Sequence, residues 1–526
     1  NRSRERSFMR RSLVLVLVLA GACGGGGNPN RRTIIDSRDN DDPRSLDPAL
    51  AIDVPTGRAV SYIFEGLTSF TPDAQVQPAL AERWEVSPDG LRYTFHIRRG
   101  VTFSDGTPLT ARHVAASWQR VLDPATKSGG AVPLTPIRGA AEFTAGKARS
   151  IVGLAVLNDS TLLVTLTEPL GIFPKLLAMP VAAVTPGPVN SEKPVGSGPW
   201  RLVEWKHDDY LLFARTENYW AGKPPAESLR ARIIAEPSTA VAEFESRMVD
   251  LLLVPAGETK QWEDDASKKD ILKSVPALQF VYVGINVNRG PLRDKRVRQA
   301  INFAVDRKTI LERLISGRGR LAAGVIPPSL GGADTLRQPY SYDTLRARQL
   351  LAEAGYPNGI DVEIWVGSNP VYQRMTETMQ AYLAKANIRA KIVQRESRAA
   401  REAARNGQTD MILKDWYADY PDAENFLYPL LHSANKGVGG NISFWQNADF
   451  DRLVTQARRE PDEAKRNELY RQADSVAFAE APMVFMYFYN ELYAVQPWIR
   501  NFKPPVIFNG QRWLDVSIKR DSASAP

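Results

Sequence analysis

Residues 77–111 read QPALAERWEVSPDGLRYTFHIRRGVTFSDGTPLTA, and the alternation of side chains in their second half indicates the class of fold. Apolar residues at every second position would share one face of a strand: Leu91, Tyr93, Phe95 and Ile97. The residues between them are polar or charged and would point to the opposite face: Arg92, Thr94, His96 and Arg98. SDGTP (104–108) then supplies turn residues. This stretch predicts a half-buried strand that ends in a tight turn.

The same alternation recurs further along the chain, in STLLVTLTEP (160–169) and DYLLFARTENYW (209–220). After about residue 290 the apolar spacing becomes helical, first over Val297, Ala300, Ile301, Ala304 and Val305. Asp294 is the predicted N-cap of this helix. A later helix repeats the pattern and is predicted to stop at Gly355, a residue common just after a helix C-terminus.

A strand–helix–strand rhythm follows, because DVEIWVGS (361–368) and IRAKIVQRE (388–396) flank a predicted helix near 372–386. Helices are predicted from Phe450 to Ala481, and FYNELYAVQ (488–496) is predicted as the final strand. The sequence therefore predicts an α/β fold with mixed sheets, in at least two lobes.

The composition is that of a soluble globular protein and excludes several classes. Of 526 residues, 43% are hydrophobic and 24% are charged, so about two to four structural units are expected. The formal charge is +8, of which residues 1–22 carry +4 through five Arg and one Glu. The remaining +4 is spread along the chain, so we expect no nucleic-acid partner.

The first residues have the pattern of an export signal. Five arginines precede an apolar run from Leu13 to Ala20, which is too short to span a bilayer as a helix. The run leads to Cys23, the one cysteine of the chain, and then to GGGGNPN. This pattern resembles a bacterial lipoprotein signal, so we expect a signal peptide over 1–22, lipidation of Cys23 and a glycine-rich tether over 23–30. A single cysteine also excludes an internal disulfide.

Signatures of catalysis and of cofactor binding are missing from the sequence. There is no phosphate-binding loop, and VGSGPW (195–200) lacks the spacing of a nucleophile elbow. The four histidines never stand four residues apart, so no helical two-His metal pair can form. We therefore expect no catalytic residues, no metal site and no cofactor.

DWYADYPDAENFL (415–427) places four carboxylates and four aromatic rings in thirteen residues. It follows Met411 and Leu413, which indicate a buried strand. From the residues alone, three interpretations of this cluster are open: a surface turn, a catalytic site or a binding site for a cationic ligand.

Several phrases together resemble the bacterial solute-binding proteins of the peptide and oligopeptide uptake family. They occur in order as SLDPAL (45–50), IFEGLTSF (63–70), the 77–111 stretch, SWQRVLDPAT (117–126), PVGSGPW (194–200), NYW (218–220), VRQAINFAVDR (297–307), ARQLLAEAGY (347–356) and WYADYPDAENFL (416–427). The set spans the chain from about residue 33 to 490.

This resemblance implies a two-lobed, periplasmic-binding-protein-like fold of the Venus flytrap type, with an extra inserted α/β domain. Domain I would comprise 31–57, 196–280 and 488–526, domain II the insertion 58–195, and domain III residues 281–487. Peptide would be trapped between domains I and III and delivered to an ABC permease driven by ATPase subunits. The protein would be a monomer, lipid-anchored in the periplasm or on the outer face of the cytoplasmic membrane.

The resemblance also implies the ligand-binding residues. Asp419 matches the family position whose carboxylate pairs with the peptide amino group, and residues 413–417, from Leu413 to Tyr417, match the segment that pairs with the peptide backbone. Trp416 would wall a side-chain pocket. The alternative for Asp419 is a helix N-cap or a turn acid before Pro421. Asp422 and Glu424 are predicted to be solvated loop acids, while Asn425 and Phe426 are predicted to hold the loop in place.

The domain I wall would come from the segment before SLDP, where the matching residues are Asp42, Arg44 and Ser45. The chain departs from the family pattern at Asp415, where a small residue is usual, and at the Gly129–Gly130 pair, where an aromatic residue is usual. An acid at position 415 suggests the hypothesis that the ligands are basic peptides.

Other functions remain open at this point. A member of the same family could carry a nickel chelate, haem or an oligosaccharide, or could report its ligand to a signalling protein. An exported hydrolase would need a nucleophile with a base, and the sequence offers none.

Overall fold

A computed structural model describes residues 32–519; the expected signal peptide, the Cys23 lipidation site and the glycine tether lie outside them. The strands are β1 (Thr33–Asp39), β2 (Thr68–Phe70), β3 (Val76–Pro78), β4 (Ala81–Val86), β5 (Arg92–Ile97), β6 (Leu154–Asn158), β7 (Thr161–Thr165), β8 (Trp200–Lys206), β9 (Tyr210–Arg215), β10 (Ser228–Ile233), β11 (Leu251–Leu253), β12 (Leu272–Ile285), β13 (Gly319–Leu321), β14 (Ile360–Val366), β15 (Ile388–Gln394), β16 (Met411–Tyr417), β17 (Met483–Val495), β18 (Ile499–Arg500) and β19 (Ser517–Ile518). The α-helices are α1 (Val54–Ile63), α2 (Ala111–Leu122), α3 (Ala140–Thr144), α4 (Phe173–Leu176), α5 (Pro237–Glu245), α6 (Thr259–Asp264), α7 (Lys295–Ala304), α8 (Arg307–Leu314), α9 (Thr344–Glu353), α10 (Pro370–Ala384), α11 (Ser397–Arg405), α12 (Glu424–Leu431), α13 (Ala448–Arg459) and α14 (Glu463–Glu480).

The predicted mixed α/β class is confirmed, and local sequence signals account for several element ends. The Asp294 carboxylate accepts the N–H of Arg296 at the start of α7. Helix α9 ends at Glu353, and Gly355 follows with φ of +91°, a conformation that glycine adopts without strain. The predicted strand–helix–strand unit is β14–α10–β15, in which the two strands pair in parallel.

A single large sheet connects two lobes. Within the described residues it has eleven strands, ordered β15-β14-β16-β12-β17-β11-β1-β10-β9-β8, with β13 pairing to β17 off this path. Strands β12 and β17 are long because each passes from one lobe into the other. We call the part built on β1 and β8–β11 lobe I, and the part built on β13–β16 lobe III. Strands β12 and β17 each carry the chain from one lobe to the other. They pair in antiparallel orientation, and their register shifts between Pro276 and Phe280 and again between Val281 and Tyr282.

A separate unit, which we call the inserted unit, lies between β1 and β8 in the chain. Its four-stranded sheet has the order β4-β5-β7-β6. Its own hydrophobic core includes the fully buried Phe95, Trp118 and Val164. The strand predicted from the alternation between Leu91 and Arg98 is β5, and its Tyr93, Phe95 and Ile97 face this core.

The domain boundaries stay a prediction, and we propose to shift two of them. Helix α1 packs Val60 and Tyr62 into the core of lobe I, so the insertion is better placed after Phe64 than at residue 58. Leu278 and Phe280 already pack in a core of lobe III, so β12 crosses between lobes before residue 278.

From residue 32 to residue 519, no helix combines the length and the apolar character that crossing a membrane requires.

Candidate functional site

Strand β16 has one paired edge and one edge that is largely open. On the first side it pairs with β12 along its whole length, from Met411 opposite Ile285 to Tyr417 opposite Gln279. On the second side it pairs with β14 only at Met411 and Ile412. Strand β14 ends at Val366, so in the described chain no strand continues beside residues 413–417.

The backbone groups of Asp415 and Tyr417 point to this open edge. The N–H of Ala418 donates to the carbonyl of Leu278, which makes that residue pair a hydrogen-bonded one. Hydrogen-bonded and non-hydrogen-bonded pairs alternate along antiparallel strands. Trp416 therefore bonds to β12, whereas Asp415 and Tyr417 direct their N–H and C=O groups away from it. An extended ligand could add there as a further strand.

The open edge lies where the two lobes face one another. In lobe III, β14 and β16 are parallel, and the carboxyl end of β16 lies near the β12–β17 crossing, since Tyr417 pairs with Gln279. In lobe I, β1, β10 and β11 are parallel and also end toward this crossing, since Leu253 at the end of β11 pairs with Tyr493. We call the space between these two sets of strand ends the crevice. In open α/β sheets, ligands commonly bind in the crevice outside the carboxyl ends of the strands.

Side chains from both lobes meet at the base of the crevice. The Tyr417 hydroxyl contacts Oε1 of Glu491 at 3.5 Å, and the Tyr493 hydroxyl donates to Oε2 of the same carboxylate at 2.6 Å. Burial, followed by the charge of Glu491, raises the pKa of Tyr417, while Arg58 of lobe I acts in the opposite direction. Arg58 is itself paired with Asp39 at the end of β1.

Asp419 lies two residues beyond the open edge. Its backbone N–H donates to Oδ1 of Asn425 at 2.9 Å. Its side chain remains accessible to solvent, yet the surrounding protein removes part of its hydration, and this desolvation raises the pKa of the carboxyl. No Lys or Arg of the described residues forms an ion pair with it. Asp419 is thus an accessible carboxylate that has no ion-pair partner among the described residues. It does not cap α12, because that helix begins at Glu424 and its N-cap is Ala423.

Trp416 is held by the same amide that positions Asp419. Its indole N–H donates to Oδ1 of Asn425 at 3.3 Å, and the ring packs against the core that contains Phe426. Asn425 and Phe426 are buried. The expectation that they hold the loop agrees with these contacts, whereas the predicted ligand contacts of Trp416, Tyr417 and Leu413 stay predictions. Leu413 itself is buried in a lobe III core.

The prediction of solvated acids at 422 and 424 is wrong. Asp422 is only 4% exposed and pairs with Lys175 of the inserted unit at 2.6 Å. Glu424 is 2% exposed and pairs with Arg458 at 2.8 Å. Both partners are distant in sequence, and a buried carboxylate requires such a partner.

The three residues predicted for the lobe I wall follow the end of β1 in the chain and make different contacts. Both carboxylate oxygens of Asp42 are engaged, one by the indole N–H of Trp205 at 2.9 Å and one by Nδ1 of His207 at 2.8 Å. Arg44 is exposed and lies 3.5 Å from Asp53. The Ser45 hydroxyl bonds to that of Ser191 at 3.0 Å. Their contact with a ligand stays a prediction.

Sequence reasoning missed the polar row that β17 contributes to the base of the crevice. Tyr487, Tyr489, Glu491 and Tyr493 stand at every second position and so share one face of that strand. The signal was present in FMYFYNELYAV (485–495), where polar side chains recur with period two in an otherwise apolar strand.

Comparison with known proteins supplies a family. A model described as bacterial extracellular solute-binding proteins, family 5 (middle), matches residues 75–438. Heme-binding protein A of Haemophilus influenzae is 32% identical over 474 residues, which cover 84% of each chain. The dipeptide-binding protein of Escherichia coli is 31% identical over 441 residues, covering 78% of this chain and 81% of its own.

A solved structure agrees with the sequence relatives. The ABC transporter-associated periplasmic binding protein DppA from Helicobacter pylori, in complex with the peptide STSA, superimposes with a TM-score of 0.75 at 26% identity. The similarity covers 93% of this chain and 98% of that chain. The likeness therefore extends over both lobes and the inserted unit.

Proposed function

Because the chain belongs to the bacterial extracellular solute-binding proteins of family 5, we propose that it captures peptides between lobe I and lobe III and delivers them to an ABC permease with its ATPase subunits. It acts as a receptor and performs no chemistry on its ligand. We propose further that it works as a monomer outside the cytoplasm, anchored through a lipid on Cys23.

The observation that carries the peptide proposal is the open edge of β16 beside an acid without a cation. Asp415 and Tyr417 offer backbone donors and acceptors to an extended chain, and Asp419 offers a charge to its amino terminus. Backbone pairing and one terminal ion pair are common to all peptides, so this arrangement would accept many sequences. The names of two relatives, a dipeptide-binding protein and a periplasmic protein solved with a bound peptide, support the same ligand class.

The second candidate ligand is haem, since one relative is named a heme-binding protein. Described residues include no group of three or more His, Cys, Asp or Glu side chains placed to hold a metal ion. Haem has no peptide backbone that could pair with a strand, so it would need a different mode of capture from the open strand edge.

Native mass spectrometry of freshly purified protein tests the proposal. We expect adducts of mixed mass that fragment as short peptides and that disappear after unfolding and refolding. A single adduct with the mass and absorbance of haem would favour the second candidate. Refolded protein that binds no added peptide would contradict the peptide proposal.

A further inference from the structure

Asp415 is a second acid at the open edge, and its hydrogen-bond partners on the protein are neutral. Its Oδ2 accepts a hydrogen bond from the Gln279 amide at 2.7 Å. The Tyr372 phenol lies beside it, and burial, followed by the charge of Asp415, raises the pKa of that phenol. The side chain of Asp415 is half-buried. A half-buried carboxylate held by neutral donors is fixed in position while its charge stays unbalanced.

Asp415 forms no ion pair with a cation of the described residues. Lys414, its neighbour in sequence, points to the other face of β16 because successive strand residues alternate. The charge of Asp415 raises the pKa of Lys414 from a distance, but desolvation and the like charge of Arg405 outweigh this effect and lower that pKa. Arg58, the lobe I arginine near Tyr417, is bonded to Asp39. The sheet face that carries Asp415 continues into Tyr417 of β16 and into Tyr487 and Glu491 of β17. Arg318 packs on this row over the Tyr489 ring, and it donates to the backbone carbonyls of Asn490 and Val254.

The open edge determines which ligand atoms reach this carboxylate. Asp415 directs its backbone groups to the edge, so a ligand residue paired opposite it would place its side chain on the same face. Cβ atoms of directly opposed residues lie about 4.5–5.5 Å apart, within reach of a Lys or Arg side chain. The two adjacent ligand residues would point to the Trp416 face instead.

We propose that Asp415 forms a second cation subsite, which selects peptides that carry Lys or Arg at one position in the chain. The inference rests on the proposed function, because it requires a peptide strand on β16. Asp415 and Asp419 are four residues apart, which is about 13 Å in extended backbone. With its amino group at Asp419, a peptide would present its third or fourth residue to Asp415, and alternation allows only one of these two.

A lysine scan measures this selectivity directly. Isothermal titration calorimetry compares an all-alanine hexapeptide with five peptides that carry a single Lys at positions 2 to 6. We expect one of positions 3 and 4 to bind about tenfold more tightly than the reference, and the remaining positions to match it. Asp415→Asn should abolish that gain, so that the lysine peptide binds the variant no more tightly than the all-alanine reference does.

A matched control separates a local contact from a general charge effect. Asp361 on β14 is exposed and paired with Arg389, so Asp361→Asn removes the same charge from lobe III without touching the crevice. We expect it to preserve the positional gain. Thermal melting of both variants confirms that each is folded.

The outcomes distinguish this inference from the function on which it rests. Binding of the reference peptide with equal affinity for all lysine positions would overturn the cation subsite and leave the peptide proposal standing. A positional gain that survives in Asp415→Asn would also overturn the subsite. Failure of every peptide, including the reference, to bind would overturn both.

Discussion

At the scale of single residues, the carboxylates of the site differ in whether they form an ion pair with a Lys or Arg of the protein. Asp422 and Glu424 are buried and paired, and they fix the loop. Asp415 and Asp419 lack a cation in the described part of the chain and lie at the strand edge where a ligand would pair. The difference follows from tertiary contacts, since all four acids occur within ten residues of sequence.

The raised pKa of Asp419 predicts how peptide affinity depends on pH. Only the ionised carboxylate attracts an amino group, and desolvation shifts its protonation to a higher pH than that of an ordinary aspartate. Peptide affinity should therefore fall as the pH is lowered through that raised value. Calorimetry across the acidic range in which the protein stays folded checks this. Asp419→Asn should show a flat profile over the same range, and an identical slope in both proteins would count against the role.

Lys414 provides a prediction for stability. Burial lowers its pKa from 10.5 to about 8, so the protonated form is disfavoured in the folded state. The cost is present below pH 8 and disappears as the pH rises from 8 toward 10.5. Lys414→Met should raise the free energy of unfolding at pH 7 by roughly 1–3 kcal/mol, and by less at pH 9.5. Urea denaturation at both pH values measures this.

Lys391→Met is the matched control for that experiment, because Lys391 lies on β15 with a side chain 76% exposed. We expect a change within about 0.5 kcal/mol. A Lys414→Met protein that is no more stable than the control at pH 7 would show that the ammonium is not desolvated in solution.

At the scale of elements, the loop after β16 is held by the inserted unit as well as by lobe III. Lys175 of α4 bonds to the Asp422 carboxylate and to the carbonyl of Pro421, next to the segment that carries Asp419. A nearby second pair, Arg459 with Glu168, joins the same two parts of the molecule but is exposed on both sides. The two pairs differ in burial, so they should differ in strength.

Lys175→Met should destabilise the protein by about 3–5 kcal/mol, since it leaves Asp422 buried without its cation. Arg459→Ala should cost about 0–1 kcal/mol. Chemical denaturation of the two variants gives both values. Equal losses would mean that Asp422 is solvated despite its burial in the structure.

Local sequence signals predicted the elements better than their contacts. Alternation identified β5, the apolar Met411 and Leu413 indicated β16, and the Asp294 cap and Gly355 identified helix ends. Each of these signals depends on residues close together in the chain. The open edge depends on where β14 stops relative to β16. The burial of the Asp422 carboxylate depends on its ion pair with Lys175, which lies 247 residues earlier. Neither relation leaves a local signal.

At the scale of the whole molecule, β12 and β17 connect the two lobes that border the crevice, so that one ligand could contact both lobes. Both strands cross between the lobes, and the register of their pairing breaks at Pro276. Lobe III supplies the open edge and Asp419, while lobe I supplies the strand ends around Asp39 and Asp42. The family resemblance anticipated this architecture, but the register that leaves one edge open became visible only in the assembled sheet.

The central claim is that Asp419 receives the amino terminus of a peptide paired along β16. The most direct test is a two-by-two calorimetric cycle of wild type and Asp419→Asn, each with a free and an N-acetylated peptide of one sequence. We predict that the mutation weakens binding of the free peptide on the order of a hundredfold, equivalent to about 2.7 kcal/mol, and has little effect on the acetylated one. Equal losses for both peptides, or none, would contradict the claim.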